Sequence, residues 1–114
     1  MDWIDLTQLE QLELLQERSN ELTIAIFKHS TRCGVSSMVL KGLNRELAGM
    51  DTAGIEFYFL DLIKYRDISN TIARVWSVNH QSPQLIVLKN GEVINHASHY
   101  MISAELLQQS DQLS

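Results

Sequence analysis

Leu22-Thr23-Ile24-Ala25-Ile26-Phe27-Lys28-His29-Ser30-Thr31-Arg32-Cys33-Gly34-Val35-Ser36-Ser37-Met38 is the stretch on which the fold turns. Its first part, Thr23 to Phe27, is a β-branched, apolar run and predicts a buried strand. After Cys33 the period changes. Val35, Met38, Val39, Leu43 and Leu47 recur at helical spacing, with Lys41, Asn44 and Arg45 on the opposite side and Gly49 as a C-cap. The one cysteine of the chain therefore falls where a strand ends and a helix begins. A thiol there meets unpaired backbone N–H groups and the positive end of the helix dipole. Both favour the thiolate, which is the nucleophilic form. Lys28, His29 and Arg32 add positive charge nearby in sequence. The alternative is a buried, inert cysteine packed as a small hydrophobe. The polar neighbours Thr31, Arg32, Ser36 and Ser37 favour a partly exposed, reactive one.

Working outward, Thr7-Gln8-Leu9-Glu10 reads as a capping box, with Thr7 as N-cap and Glu10 reaching back. Leu9, Leu12, Leu14 and Leu15 then predict a helix to about Arg18. Ile55 to Leu60 reads as a central strand covered on both faces. Ile68, Ile72 and Val75 mark a short helix ending near Trp76. Gln84 to Leu88 is a third strand, Asn90-Gly91 a two-residue hairpin turn, and Glu92 to His96 the returning strand. Ser103 caps a last helix, Ala104 to Gln109. The order α-β-α-β-α-β-β-α predicts an α/β fold, a four-stranded mixed sheet with helices on both faces. Cys33 lies at the carboxyl end of the first of these strands, where open α/β sheets place their sites. The sole proline, Pro83, stands at the start of the third strand, where no ladder donor is needed. Its bond to Ser82 is open to either isomer on these grounds.

With 114 residues, 45% of them hydrophobic and 20% charged, the chain is expected to form one globular domain over residues 1–114. A net charge of −5 speaks against nucleic acid or an anionic membrane as partner. A single cysteine excludes an intramolecular disulfide, and a reducing cytoplasm is the expected location. The acidic start Met1-Asp2-Trp3-Ile4-Asp5 is not expected to be a signal peptide, and no apolar run reaches bilayer length.

Together these features resemble the thioredoxin fold, with the helix before the first predicted strand as an N-terminal addition. Cys33-Gly34-Val35-Ser36 looks like a CxxC site whose second cysteine is serine. More narrowly, the chain resembles the monothiol bacilliredoxin family. The resemblance is carried by Lys28-His29-Ser30-Thr31-Arg32-Cys33, Ser69-Asn70, His80-Gln81-Ser82-Pro83-Gln84, Lys89-Asn90-Gly91-Glu92-Val93 and His96-Ala97-Ser98-His99-Tyr100. It departs from that family's pattern at Gly34, where proline is common after the cysteine, and at Tyr100, where tryptophan is favoured.

The resemblance implies a cis Ser82-Pro83 bond facing Cys33. It also implies removal of bacillithiol, a malate-bearing small thiol, from protein mixed disulfides. Cys33 would be the catalytic nucleophile, with bacillithiol as co-substrate and no resident cofactor or metal. The partners would be bacillithiolated proteins, a low-molecular-weight thiol and a disulfide reductase. Ser36 and Thr31 are candidates to hydrogen-bond the thiolate, although Ser36 equally suits a place in the first helical turn. Arg32 is a candidate partner for the malate carboxylates or a solvated loop residue. Ser82 and Pro83 would hold an extended mixed disulfide, and Ser98 and His99 would line the same groove. His96, His99 and Cys33 suggest zinc only faintly, since no second ligand pair matches them.

Two other functions stay open. Cys33-Gly34-Val35-Ser36 also resembles the Cys-Gly-Phe-Ser motif of monothiol glutaredoxins, which share an iron–sulfur cluster. That family's Gly-Gly and paired-Asp segment is replaced here by His96-Ala97-Ser98-His99. A non-catalytic thioredoxin-like adaptor that retains one cysteine is the third.

Overall fold

A computed structural model describes residues 2–108. Its strands are β1 (Ile4–Asp5), β2 (Thr23–His29), β3 (Ile55–Asp61), β4 (Gln84–Lys89) and β5 (Glu92–Ser98). Its helices are α1 (Gln11–Arg18), α2 (Gly34–Ala48) and α3 (Arg66–Val75), with a single 3-10 turn at His99–Met101. The sheet order is β1-β3-β2-β4-β5. β1 and β2 run parallel to β3, whereas β4 runs antiparallel to both β2 and β5.

The expected sheet is there with one strand more than the four foreseen. β1 pairs through only Ile4 and Asp5, which sit beside Tyr58 and Phe59. Two residues are too few to leave a period in the sequence. Trp3 secures this edge: its Nε1–H donates to Asn44 Oδ1 at 2.8 Å, and its ring meets Phe57 edge-on at 5.3 Å.

Period two in the central strand divides the core. Ile24 and Ile26 pack with Leu12 and Leu15 of α1 and Ile68 and Ile72 of α3. Ala25 and Phe27 face the other way, onto Leu43 and Leu47 of α2 and Ile102 and Leu107 beyond β5. Helices thus cover both faces, and β2 is buried along its whole length.

Several local expectations are corrected. β2 runs two residues past Phe27, so Lys28 and His29 belong to the strand. The capping box does not form. Glu10 is the N-cap without a side-chain bond, and Gln11 Oε1 instead accepts the N–H groups of Thr7 and Gln8 at 2.7 and 2.9 Å. The side-chain amide of the first helical residue takes up the Thr7 N–H that the Glu10 carboxylate was expected to hold. Met38 is 59% exposed, because the inner stripe of α2 runs through Ser36, Leu43 and Leu47. The hairpin turn follows the reading, with Asn90 and Gly91 both at positive φ. The last helical segment begins at residue 105, and Gln109 lies outside the described residues.

Candidate functional site

β2 delivers the chain to the carboxyl edge of the sheet, and Ser30 to Arg32 turn it into α2. The Cys33 N–H donates to the Ser30 carbonyl at 3.2 Å, closing this turn. Cys33 is extended (φ −115°, ψ 114°) and is the N-cap of α2. Its carbonyl accepts from Ser37 N–H at 3.4 Å, while its side chain makes no capping bond. The thiol is half-buried and free. Thr31 and Arg32 beside it are exposed.

The Ser82-Pro83 bond is cis, and Pro83 is buried. Gln84 of β4 lies opposite Lys28 of β2, so Pro83, one step further, stands at the end of the sheet where His29 leads to Cys33. Gln84 also pairs with Ser98 of β5, and His99 N–H donates to the Pro83 carbonyl at 3.0 Å. Cys33, Ser82, Pro83, Ser98 and His99 are therefore gathered at one edge by three strand ends. His99 is at positive φ (54°) and exposed. The Ser82 hydroxyl is buried and has no hydrogen-bond partner among the described residues. Beside His99, Tyr100 and Met101 are 71% and 77% exposed.

Ser36 and His29 form a pair that the sequence reading did not foresee. Ser36 is fully buried, and its Oγ lies 2.7 Å from His29 Nδ1. The same oxygen accepts the Ser30 N–H at 3.2 Å. Burial holds the His29 imidazole below its usual titration range, with Asp61 acting in the opposite sense. Asp61 is its register partner on β3. The two readings of Ser36 are thus separated in the resting protein. Its hydroxyl fills the first turn of α2 and ties that turn to β2, rather than bonding the thiol. A buried hydroxyl must find partners, and His29 and Ser30 supply them. Ser36→Ala should accordingly destabilise the protein by about 1–2 kcal/mol, by orphaning a buried N–H and an imidazole nitrogen. Alkylation of Cys33 by iodoacetamide should change less than about twofold, within what loss of a neutral, non-contacting hydroxyl allows. A large drop in alkylation with unchanged stability would return Ser36 to the thiol.

Strand alternation separates the three basic residues expected to cluster at the thiol. Arg32 is on the exposed loop and His29 faces α2. Lys28 follows Ile24 and Ile26 onto the α3 side and is wholly buried. Its ammonium donates to the Ser69 carbonyl at 3.2 Å and lies 3.4 Å from His80 Nδ1, and Ser69 Oγ is 3.3 Å from the same nitrogen. An ammonium has only protons to offer, so His80 Nδ1 is the acceptor and the neutral ring carries its proton on Nε2. Burial lowers Lys28 from 10.5 to about 8. His80 is lowered too, first by burial and then by Lys28 and Arg66. The signal for Lys28 was present in the sequence: extending β2 by two residues places it on the core face. Among the described residues no three of His, Cys, Asp and Glu converge as a metal site would require. No helix among them is long and apolar enough to cross a membrane.

Solved structures show the same architecture. A proposed oxidoreductase with a thioredoxin fold superposes with a TM-score of 0.79 at 29% identity, covering 95% of this chain and 92% of that one. Thioredoxin of Malassezia sympodialis (TM-score 0.72, 17% identity, 97% and 90% covered) shares the fold. So does thioredoxin of Fasciola hepatica (0.71, 16%, 97% and 99%). The sequence profile of the monothiol bacilliredoxin BrxC matches residues 4–107, from β1 into the last helical segment. A thioredoxin-like redox protein with one half-buried cysteine at a helix N-terminus and a cis-proline at the same edge, this chain belongs to the monothiol bacilliredoxin family.

Proposed function

We propose that the protein removes bacillithiol from protein mixed disulfides by a one-thiol mechanism through Cys33. The observation that carries this reading is the free, half-buried Cys33 at the start of α2, in a chain with no second cysteine and of the bacilliredoxin family. The Cys33 thiolate attacks the bacillithiol sulfur of the mixed disulfide. A Cys33–bacillithiol disulfide forms, the old S–S bond breaks, and the target cysteine leaves as thiolate and takes a proton from solvent. A second bacillithiol thiolate then attacks the adduct, regenerating Cys33 and releasing bacillithiol disulfide. An external disulfide reductase returns that product to the thiol. Both steps exchange one disulfide for another, so no redox cofactor is needed.

Ser82 beside cis-Pro83 is well placed to hold the extended arm of the mixed disulfide. The backbone groups of Ser82, one residue before the cis-proline, suit that arm. Arg32, exposed beside the thiol, suits the malate carboxylates, which one guanidinium can engage with two parallel bonds. Ser98 and His99 close the same groove, and Thr31 remains a candidate contact to the incoming sulfur. The cytoplasm, where such small thiols are kept reduced, is the proposed compartment.

The test uses one model protein carrying either bacillithiol or glutathione on its cysteine, with released thiol followed by mass spectrometry. The bacillithiol substrate should be cleared at least about tenfold faster, the worth of one charge-assisted contact to carboxylates that malate holds together and glutathione carries at its two ends. Equal rates would keep the exchange chemistry and remove the assignment of the carrier. Preference for glutathione would shift the reading toward glutaredoxin-type use. A brown colour in freshly purified protein would favour the iron–sulfur alternative.

A further inference from the structure

Buried beneath the site is a lysine that the exchange chemistry does not use. We propose that Lys28 is a positioning residue for the substrate groove, tying the loop that carries Ser82 and Pro83 to α3 through His80. This rests on the reading of Ser82–Pro83 as the groove given above.

The geometry is that of a tether from below. Lys28 projects from the last full turn of the strand pleat before Cys33, on the face opposite α2. Its ammonium bridges two separate elements, the Ser69 carbonyl in α3 and His80 in the loop leading to β4. Elsewhere among the described residues the loop is held at Val78, which is buried in the core with its N–H on the Ala73 carbonyl, and toward β4. Gln84 Nε2 donates to the Asn79 carbonyl at 3.0 Å, and His99 N–H to the Pro83 carbonyl at 3.0 Å. Between those points, Lys28 and Ser69 are the groups that reach up to His80 from inside the fold.

The surroundings make this ammonium costly to keep. In register on its own face it is flanked by Leu60 of β3 and Gln84 of β4, neither of them charged. α3 contributes Ser69 and, toward His80, the cationic Arg66; the loop contributes His80 itself. No carboxylate forms an ion pair with Lys28 among the described residues. A cation buried without a counter-charge weakens the fold unless its hydrogen bonds do something a neutral side chain would not. Here they join a helix to the residues preceding the cis-proline. The nearby Gln84 Oε1 is buried and unpartnered, and the ammonium has a third proton beyond its two contacts. A buried water between them fits this chemistry and would carry the tether into β4 as well.

The experiment is a double-mutant cycle with Lys28→Met and His80→Ala, read in three ways. For the bacillithiol mixed disulfide, each single variant should raise KM about tenfold with kcat little changed, the worth of one charge-assisted hydrogen bond lost from groove positioning. The double variant should be no worse than His80→Ala, because Lys28→Met removes one strand of a tie, Ser69 Oγ still holding His80, that His80→Ala removes whole. Alkylation of Cys33 by iodoacetamide, which needs no groove, should match wild type in all three. Backbone amide exchange over residues 79–84 should accelerate in both single variants. His80 is exposed, so its variant is expected to fold whatever Lys28→Met does. Additive KM effects, or unchanged exchange over 79–84, would overturn the proposal. If wild type fails to turn over any mixed disulfide while exchange still accelerates in both variants, the functional reading falls and the tether stands.

Discussion

Lys28→Met should unfold at a higher temperature than wild type at pH 7, although it removes two hydrogen bonds. The reason is the charge state. Burial brings the Lys28 ammonium from 10.5 down to about 8, so at neutral pH the folded protein holds a cation that its environment disfavours. At about 1.4 kcal/mol per unit, that depression corresponds to roughly 3 kcal/mol at the upper end. Methionine matches lysine's unbranched stem and fills the same slot without a charge. Little is orphaned by the change. Ser69 lies inside α3, where its carbonyl also serves the helical ladder, and His80 Nδ1 keeps Ser69 Oγ at 3.3 Å.

The sign fixes the pH dependence. A cation with a depressed folded-state value binds fewer protons when folded than when unfolded, between about pH 8 and 10.5. Wild-type stability should therefore rise through that window relative to Lys28→Met, and the two proteins should converge as pH approaches the upper limit. Tyr58 contributes in the opposite sense. Burial, then its bond to Glu56, raises it to about 12, so folding holds its proton from about pH 10 upward and loses stability there. Tyr58 is common to both proteins and cancels in the difference. Chemical denaturation at pH 7, 8, 9 and 10 measures this directly. A variant less stable than wild type at pH 7, or a difference that does not move with pH, would show that Lys28 is neutral or better solvated than its burial indicates.

The fold was legible because its main elements obey simple periods. Ile24, Ile26 and Phe27 declare a strand, Leu43 and Leu47 a helix, and Asn90-Gly91 a turn that only certain residues tolerate. What stayed hidden breaks a period or lies outside one. β1 is two residues long, and its hold on the sheet comes from Trp3 reaching α2, a long-range contact with no local signature. Gln11 took the place of Glu10 as acceptor of the Thr7 N–H, since the helix starts one residue beyond Glu10 and the side chain within reach is decided by that start. In sequence Lys28 and His29 follow the apolar run and read as positive charge near Cys33. In the fold they are the last two residues of the most buried strand, and alternation sends them to opposite faces. Strand order placed Cys33 at the carboxyl edge of the sheet, and the resemblance to the thioredoxin fold brought Pro83 to the same edge. The two buried polar pairs behind it, Ser36–His29 and Lys28–His80, were not legible, since each joins residues through the third dimension.

Replacing Cys33 by serine should abolish mixed-disulfide turnover while making the protein more stable. The first half follows from chemistry. The exchange needs a thiolate of high nucleophilicity at neutral pH, and a serine hydroxyl is neither ionised there nor able to form the disulfide intermediate. With no other cysteine in the chain, nothing can substitute, and the rate should fall at least ~10³-fold. The second half follows from the geometry of the N-cap. Cys33 has the extended backbone that N-cap residues adopt, yet its side chain leaves the free N–H groups of the first turn of α2 uncapped. Serine is among the preferred N-cap residues, and its Oγ is suited to accept from Val35 or Ser36 N–H, adding about 0.5–1 kcal/mol. The same position thus sets a good cap against a good nucleophile, and the chain carries the nucleophile. Turnover of the bacillithiol substrate and the thermal midpoint, measured on one preparation, decide the matter. Retained turnover would remove Cys33 from the mechanism. Loss of turnover together with a markedly lower midpoint would mean that Cys33 is chiefly a packing residue, leaving the chain as a thioredoxin-like adaptor.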